Sequence, residues 1–288
     1  MEILVEQRKL YLLQKNCGAD AIILQTFTPQ TITLKSKNKD FVMSHLSKKS
    51  KWKKFNTFFN IYKKATTPWS WHKKLFLFAK KIGIEIFSSP FDESAVDFLE
   101  KINCPAYKIA SPEITHIPLL EKVAKTKKPI IISTGLAEEK DIFLALKTVK
   151  KYHKKIILLK CNTAYPSPLE EGNLQNLKYL KKKFNVQVGY SDHTTSSVSS
   201  IVAVTLGSVL IEKHLNLNDN KKTLDSFFSI SEKDFKNLIS DIRNVNKVKG
   251  KKKYILSKSS KKNFKGRRSI YVSKKILKGE KVTRENIK

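Results

Sequence analysis

Several things are scarce in this chain of 288 residues. It has 3 cysteines, Cys17, Cys104 and Cys161. Their odd number and wide spacing exclude a disulfide framework and a zinc motif, and suit a reduced, cytoplasmic setting. No run approaches the roughly 20 apolar residues of a membrane span, and the opening MEILVEQRKLYLLQ is a charged helix pattern without a secretory signal. Arginine is confined to Arg8, Arg243, Arg267, Arg268 and Arg284, so the net charge of +32 is almost all lysine. Specific nucleic-acid sites lean on arginine and on aromatics interleaved with the basic patch. Here lysines are spread along the chain, which argues against a nucleic-acid partner and for compositional drift toward lysine. No glycine-rich dinucleotide fingerprint follows the early strands, and neither a P-loop nor a Ser/His/Asp order is evident.

What is present is alternation. Strand-like runs at 21–27, 84–91, 106–111, 129–134, 156–162, 186–192 and 208–214 are short, apolar and β-branched, as strands buried on both faces are. Helical patterns lie at 2–16, 93–103, 117–126, 138–150, 172–183 and 195–206. This alternation implies a parallel sheet. A closed barrel needs eight strands. The seven here, entered from a helix, predict an α/β fold of the (β/α)8 TIM type lacking its first strand. An open doubly wound sheet is the alternative. Polar residues at nearly every strand end favour the barrel, because a ring of loops builds one pocket.

The segment 28–83 interrupts the repeat and ends in a helix with Thr67 as N-cap and Pro68 at its first position. A further helix over 231–248 is capped by Ser231. The predicted organisation is a barrel domain over 1–248, a lysine-rich linker over 249–266 and a short β-like segment over 267–288.

The strand ends carry the chemistry. VQVGYSDH closes on His193 and VLIEKH on His214, with one amphipathic helix between them. In a strand–helix–strand repeat both imidazoles stand at the same end of neighbouring parallel strands, a plausible divalent-metal pair. Lys108 lies mid-strand in YKIASPE, with Ser111 and Glu113 at the rim. A lysine among apolar residues is costly to bury unless it meets an anion; the alternative is a lysine snorkelling to a barrel edge. The STG turn at 133–135 can offer backbone N–H groups to an anion. Asn162, Thr163, Tyr165, Ser191, Asp192, Glu212 and Lys213 complete the rim, and Asp225 follows in a loop. Such a set suits an anionic substrate and a carbonyl activated by a metal. His45, His72, His116 and His153 fall on helices or loops and are expected at the surface.

In order, the strings GADAIILQTFTP, SSPFD, AYKIASPEITHIPLL, KPIIISTGLA, KCNTAYP, VGYSDHT and GSVLIEKHL resemble the sialic-acid synthase family. The segment KKATTPWSWH is similar to pseudaminic acid synthases. The tail from Arg267 resembles the opening of the family's antifreeze-like (SAF) domain. The resemblance implies a cytoplasmic, homodimeric transferase that condenses phosphoenolpyruvate with an amino-sugar aldehyde. For the pseudaminic subgroup the sugar is 2,4-diacetamido-2,4,6-trideoxy-altropyranose, and a nine-carbon nonulosonic acid and phosphate are the products. N-acetylneuraminate or legionaminate synthesis, or a degraded homologue that survives as a metal-binding scaffold, are the alternatives. It further implies that His193 and His214 hold a divalent ion, Mn²⁺ before Mg²⁺ or Co²⁺. Lys108, Ser111, Thr163 and Ser191 would contact phosphoenolpyruvate, and Gln25, Glu113, Tyr165 and Asp225 would face the sugar. Two departures stand out. The family's first strand, which ends on a glutamate, has no counterpart. Ile23 also occupies the place of a lysine that would contact phosphate.

Overall fold

In the computed structural model, which describes residues 2–45, 51–216, 223–250 and 253–288, the chain divides into two compact units, 1–249 and 250–288. The first unit opens with α1 (Glu2–Cys17), β1 (Ala21–Thr26), α2 (Pro29–Ile32), α3 (Phe58–Ala65) and α4 (Trp69–Ile82). It continues with β2 (Glu85–Pro90), α5 (Glu93–Lys101), β3 (Tyr107–Ile109), α6 (Ile117–Lys125), β4 (Ile130–Ser133) and α7 (Glu139–Lys150). β5 (Ile156–Cys161), α8 (Asn176–Phe184), β6 (Gln187–Asp192), α9 (Val198–Thr205), β7 (Ile211–Lys213) and α10 (Glu232–Lys249) complete it. The second unit contains α11 (Lys258–Lys262) and an antiparallel bridge between Val272 and Ile287. Among the described residues no helix is long and apolar enough to cross a membrane.

All seven strands are parallel and lie in chain order, β1 to β7. The sheet is strongly curled. In a flat sheet β3 and β7 would stand about 19 Å apart, four spacings of about 4.8 Å. Instead Lys108 of β3 meets Glu212 of β7 at 2.9 Å across the interior. The α/β barrel-like reading of the sequence therefore holds for this unit. β2 to β6 are largely buried, whereas β1 alternates exposed and buried and β7 is half-buried. Among the described residues each of these two outer strands has a strand partner on one side only, so neither reads as a strand buried on both faces.

The main core fills the space between the sheet and α5 to α8, with Leu99, Leu119, Leu120, Ile130, Ile132, Leu158 and Leu177 wholly enclosed. A second cluster seats α1 and α4 on the outer face of β1 and β2 through Tyr11, Leu75, Ala79, Ile22 and Ile86. α10 closes against α1 through Ile239, Leu13 and Cys17.

Four expectations are corrected. α4 begins at Trp69 with Pro68 as its N-cap, one residue later than the Thr67 cap. β7 is shorter than its apolar run: residues 208–210 follow the turn at 206–207 and bond to β6 through the Val209 N–H and the Leu210 carbonyl before the regular ladder begins at Ile211. His72 is fully buried, not at the surface. Its helix turns it inward, where its Nε2 meets the Thr26 hydroxyl at 2.9 Å and its Nδ1 the Pro68 carbonyl at 3.2 Å. Both ring nitrogens are thus satisfied, and burial keeps its pKa below the ordinary histidine value. His153 is half-buried. His116 is exposed as expected, and the side chain of His45 lies outside the described residues.

Candidate active site at the carboxyl ends of the strands

Side chains alternate along each strand, so Ser191 and His193 share one face of the β6 end and Glu212 and His214 one face of β7. Ser191 and Glu212 are register partners. The Ser191 hydroxyl donates to Glu212 Oε1 at 2.6 Å, and Lys108 Nζ donates to the same oxygen at 2.9 Å. The buried lysine has therefore met an anion, and it is the chain's own. Burial raises the Glu212 carboxyl, but the charge of Lys108 and the Ser191 hydrogen bond outweigh it and leave the group below its ordinary value. Its second oxygen, Oε2, is buried without a hydrogen-bond partner.

The two imidazoles stand side by side, with ring centroids 5.4 Å apart and planes at 57°. His193 Nδ1 lies 2.6 Å from the Asn162 carbonyl. A carbonyl only accepts, so Nδ1 carries the proton and the Nε2 lone pair is left for another partner. Nε2 has only a long 3.4 Å approach to the Ser191 hydroxyl. Burial lowers the pKa of both rings, that of His214 to about 4 with the neighbouring His193 adding to the effect. Neutral imidazoles are the form that binds metals. A ligand nitrogen sits about 2.1 Å from its ion, which puts a ring centroid about 3 Å from it. Two rings at 5.4 Å can thus reach one ion. Among the described residues no group of three or more His, Cys, Asp or Glu side chains has metal-ligand spacing. Two neutral imidazoles at this spacing are a donor set that suits a divalent ion. Asp225 Oδ2 lies 3.7 Å from His214 Nδ1, too long for a hydrogen bond. Burial pushes the Asp225 carboxyl up to about 6.

A second cluster lies beside this one. The Ser111 hydroxyl accepts from the Gly135 N–H at 3.1 Å and touches Cys161 Sγ at 3.1 Å. A Cβ at Gly135 would meet Cys161 Sγ at 2.6 Å, Thr163 Cγ2 at 2.8 Å and Ser111 Oγ at 3.0 Å. Only glycine lets the STG turn come so close to Ser111 and Thr163. Glu113 follows on the same loop as Ser111. Burial pushes its carboxyl up to about 7, partly offset by Lys108, and its Oε2 is buried without a partner.

Tyr165 lies against His193 with centroids 4.4 Å apart, and burial raises its phenol. Phe228 packs on His214 at 4.8 Å and on Tyr165 at 4.9 Å. Trp52 joins from the other side, 5.4 Å from Tyr165, and its indole donates to the Leu224 carbonyl at 3.0 Å. Sequence reasoning missed Phe228, which packs on both imidazoles, and Trp52, which backs Tyr165 and Phe228. An aromatic inside the lysine-rich run KSKWKKF was the one available signal for Trp52. Gln25 and Ile23 stand on the inner face of β1. They line a cleft of about 890 Å³ with Lys108, Glu212 and His214. All ten expected site residues thus come from the carboxyl ends of the strands or the loops that follow them. Gln25 is the exposed outlier, at the open edge.

The model of the NeuB family matches residues 12–254. The pseudaminic acid synthase of Helicobacter pylori is 42% identical over 276 residues, 95% of this chain and 80% of that protein. An N,N'-diacetyllegionaminic acid synthase of Campylobacter jejuni is 36% identical over 285 residues, 97% of this chain and 84% of that protein. The crystal structure of N-acetylneuraminic acid synthetase from Leptospira borgpetersenii, in complex with citrate, superposes with a TM-score of 0.78 at 26% identity, over 91% of this chain and 86% of that one. The chain belongs to the NeuB family, the sialic-acid synthases that its strand-end motifs resemble.

Proposed function

We propose that this chain is a divalent-metal-dependent nonulosonic acid synthase of the pseudaminic type, joining phosphoenolpyruvate to open-chain 2,4-diacetamido-2,4,6-trideoxy-altropyranose. The observation that carries this reading is the imidazole pair set beside the Lys108–Ser191 anion rim. The choice of sugar is supported by the higher identity to the H. pylori pseudaminic acid synthase than to the legionaminic relative, 42% against 36%.

His193 and His214 would hold the ion, Mn²⁺ by preference. When bound, the metal supplies Lewis-acid polarisation of the aldehyde oxygen. The chain's own residues do the rest. Lys108 and Ser191 already bind one carboxylate, that of Glu212, so their geometry suits an anionic group of phosphoenolpyruvate. Ser111, held by the Gly135 N–H, and Thr163 beside it offer a second small cradle for the other. Carbon 3 of phosphoenolpyruvate bonds to the aldehyde carbon, water adds at carbon 2, and the bond from carbon 2 to the phosphate oxygen breaks to release phosphate. Glu113, poised at about 7, can give or take a proton near neutral pH. Tyr165, Phe228 and Trp52 shield the imidazole side from water.

Ile23 favours a second reading, a protein that keeps the metal pair but turns over poorly. It puts an apolar side chain in the cleft where the resemblance calls for a lysine. Incubating the Mn²⁺-loaded chain with phosphoenolpyruvate and the diacetamido sugar tests both. Phosphate release is expected, faster in Ile23→Lys than in the native chain, and slower with N-acetylmannosamine as acceptor. Release from neither chain would reject the synthase reading.

A further inference from the structure

The strand ends that bear the histidines are bound to each other on the opposite face of the sheet. Asp192 and Lys213 are register partners on β6 and β7. They lie immediately before His193 and His214. Alternation turns them toward the helices, away from the anion rim. Lys213 Nζ stands 3.0 Å from Asp192 Oδ2, with the two side chains 2% and 0% exposed.

The pair is embedded in a satisfied network. Asp192 Oδ2 also accepts from the Ser199 hydroxyl at 2.8 Å and the Ser200 hydroxyl at 2.6 Å, both on α9. Asp192 Oδ1 accepts from the Thr194 N–H at 2.9 Å. Lys213 Nζ donates to the Thr194 carbonyl at 2.5 Å and the Ser196 carbonyl at 3.1 Å. Burying two opposite charges contributes little to stability over apolar residues of the same volume, because desolvation offsets the attraction. What this network does supply is geometry. It locks the rung of the sheet just before both imidazoles. It also grips Thr194, so the His193 backbone is held by its neighbours on both sides. The His193 ring is then aimed by its bond to the Asn162 carbonyl, 2.6 Å away.

We propose that the buried Asp192–Lys213 pair is the positioning device of the imidazole site, setting the separation and direction of His193 and His214 so that both reach one divalent ion. The proposal rests on the reading of those histidines as a metal pair. Asp192 and Lys213 touch neither ion nor substrate. They act through the strand ends, as hydrogen-bonded partners do that orient metal ligands.

The test is the Mn²⁺ dissociation constant of the full chain, measured by electron paramagnetic resonance alongside the melting temperature. Asp192→Asn and Lys213→Met should raise the constant about 10- to 100-fold. Lys213→Arg, which keeps the charge, should recover part of the loss. Ser200→Ala removes one hydrogen bond and leaves both charges in place. It should weaken Mn²⁺ by a smaller factor and carries the test if the charge variants do not fold. A merely structural pair would lower the melting temperature and leave the constant alone. Folded variants with the native Mn²⁺ constant overturn this proposal and leave the metal reading standing. A native chain that binds no Mn²⁺ overturns both.

Discussion

Glu113 shows how much one side chain's surroundings decide. Its carboxyl is pushed up to about 7 by burial, with Lys108 only partly offsetting this. The unfolded chain holds such a group near its ordinary value of 4.5. Between those values the folded state binds the extra proton, so its stability is greatest below the unfolded pKa. It falls as the pH rises toward 7 and then levels off. Glu113→Gln keeps the neutral form at every pH. The variant should match the native protein in urea titrations near pH 4 and exceed it at pH 8, by about 3 kcal/mol. An equal difference at both pH values would mean that the carboxyl is not held in its neutral form. On the proposed reading Glu113 faces the sugar, so the same variant should also lose sugar affinity.

At the scale of elements, the site depends on how closely turns approach one another. The β4 turn is the clearest case. Gly135→Ala would drive a methyl group into Cys161 Sγ at 2.6 Å and Thr163 Cγ2 at 2.8 Å, neither of them the far end of a long flexible chain. Forcing an extra methyl into a packed region costs about 1–3 kcal/mol. The loss of phosphoenolpyruvate affinity should exceed this general loosening, because Ser111 and Thr163 are the atoms displaced. Calorimetric titration with phosphoenolpyruvate against the melting temperature separates the two effects, and unchanged affinity would remove the cradle from the account. The strand ends were legible because a short apolar run that stops on Lys, Asp, Glu or His marks its own terminus. That placed Ser191, His193, Glu212 and His214 at one rim from spacing alone, whereas Lys108 reads as mid-strand and meets them because the sheet curls. The helix-borne residues were less legible. His72 looks like a surface residue within WSWHKKLF, and only the approach of Thr26 and the Pro68 carbonyl makes its burial tolerable. Phe228 and Trp52 were missed for a related reason. They come from loops, whose paths are set by the aromatic partners they find and not by any period in the sequence. The Asp192–Lys213 pair was visible as two rim residues. Its role was not, because register between strands is a tertiary fact.

The first unit, taken whole, is an open, curled sheet whose outer strands β1 and β7 face a common cleft. An unpaired edge offers free backbone donors and acceptors to other chains. The charge of +32 opposes such association between copies and draws anions toward the cleft. It also repels a free divalent cation, so any cation bound near Lys108 must be held by specific ligands and not by the general field. Mn²⁺ titration of the native chain beside His193→Ala and His214→Ala, at one fixed ionic strength, therefore tests the central claim most directly. The account predicts one ion per native chain, its removal by chelator, and loss of binding in each single variant. Binding that survives both substitutions, or a native chain that takes up no ion, would contradict it.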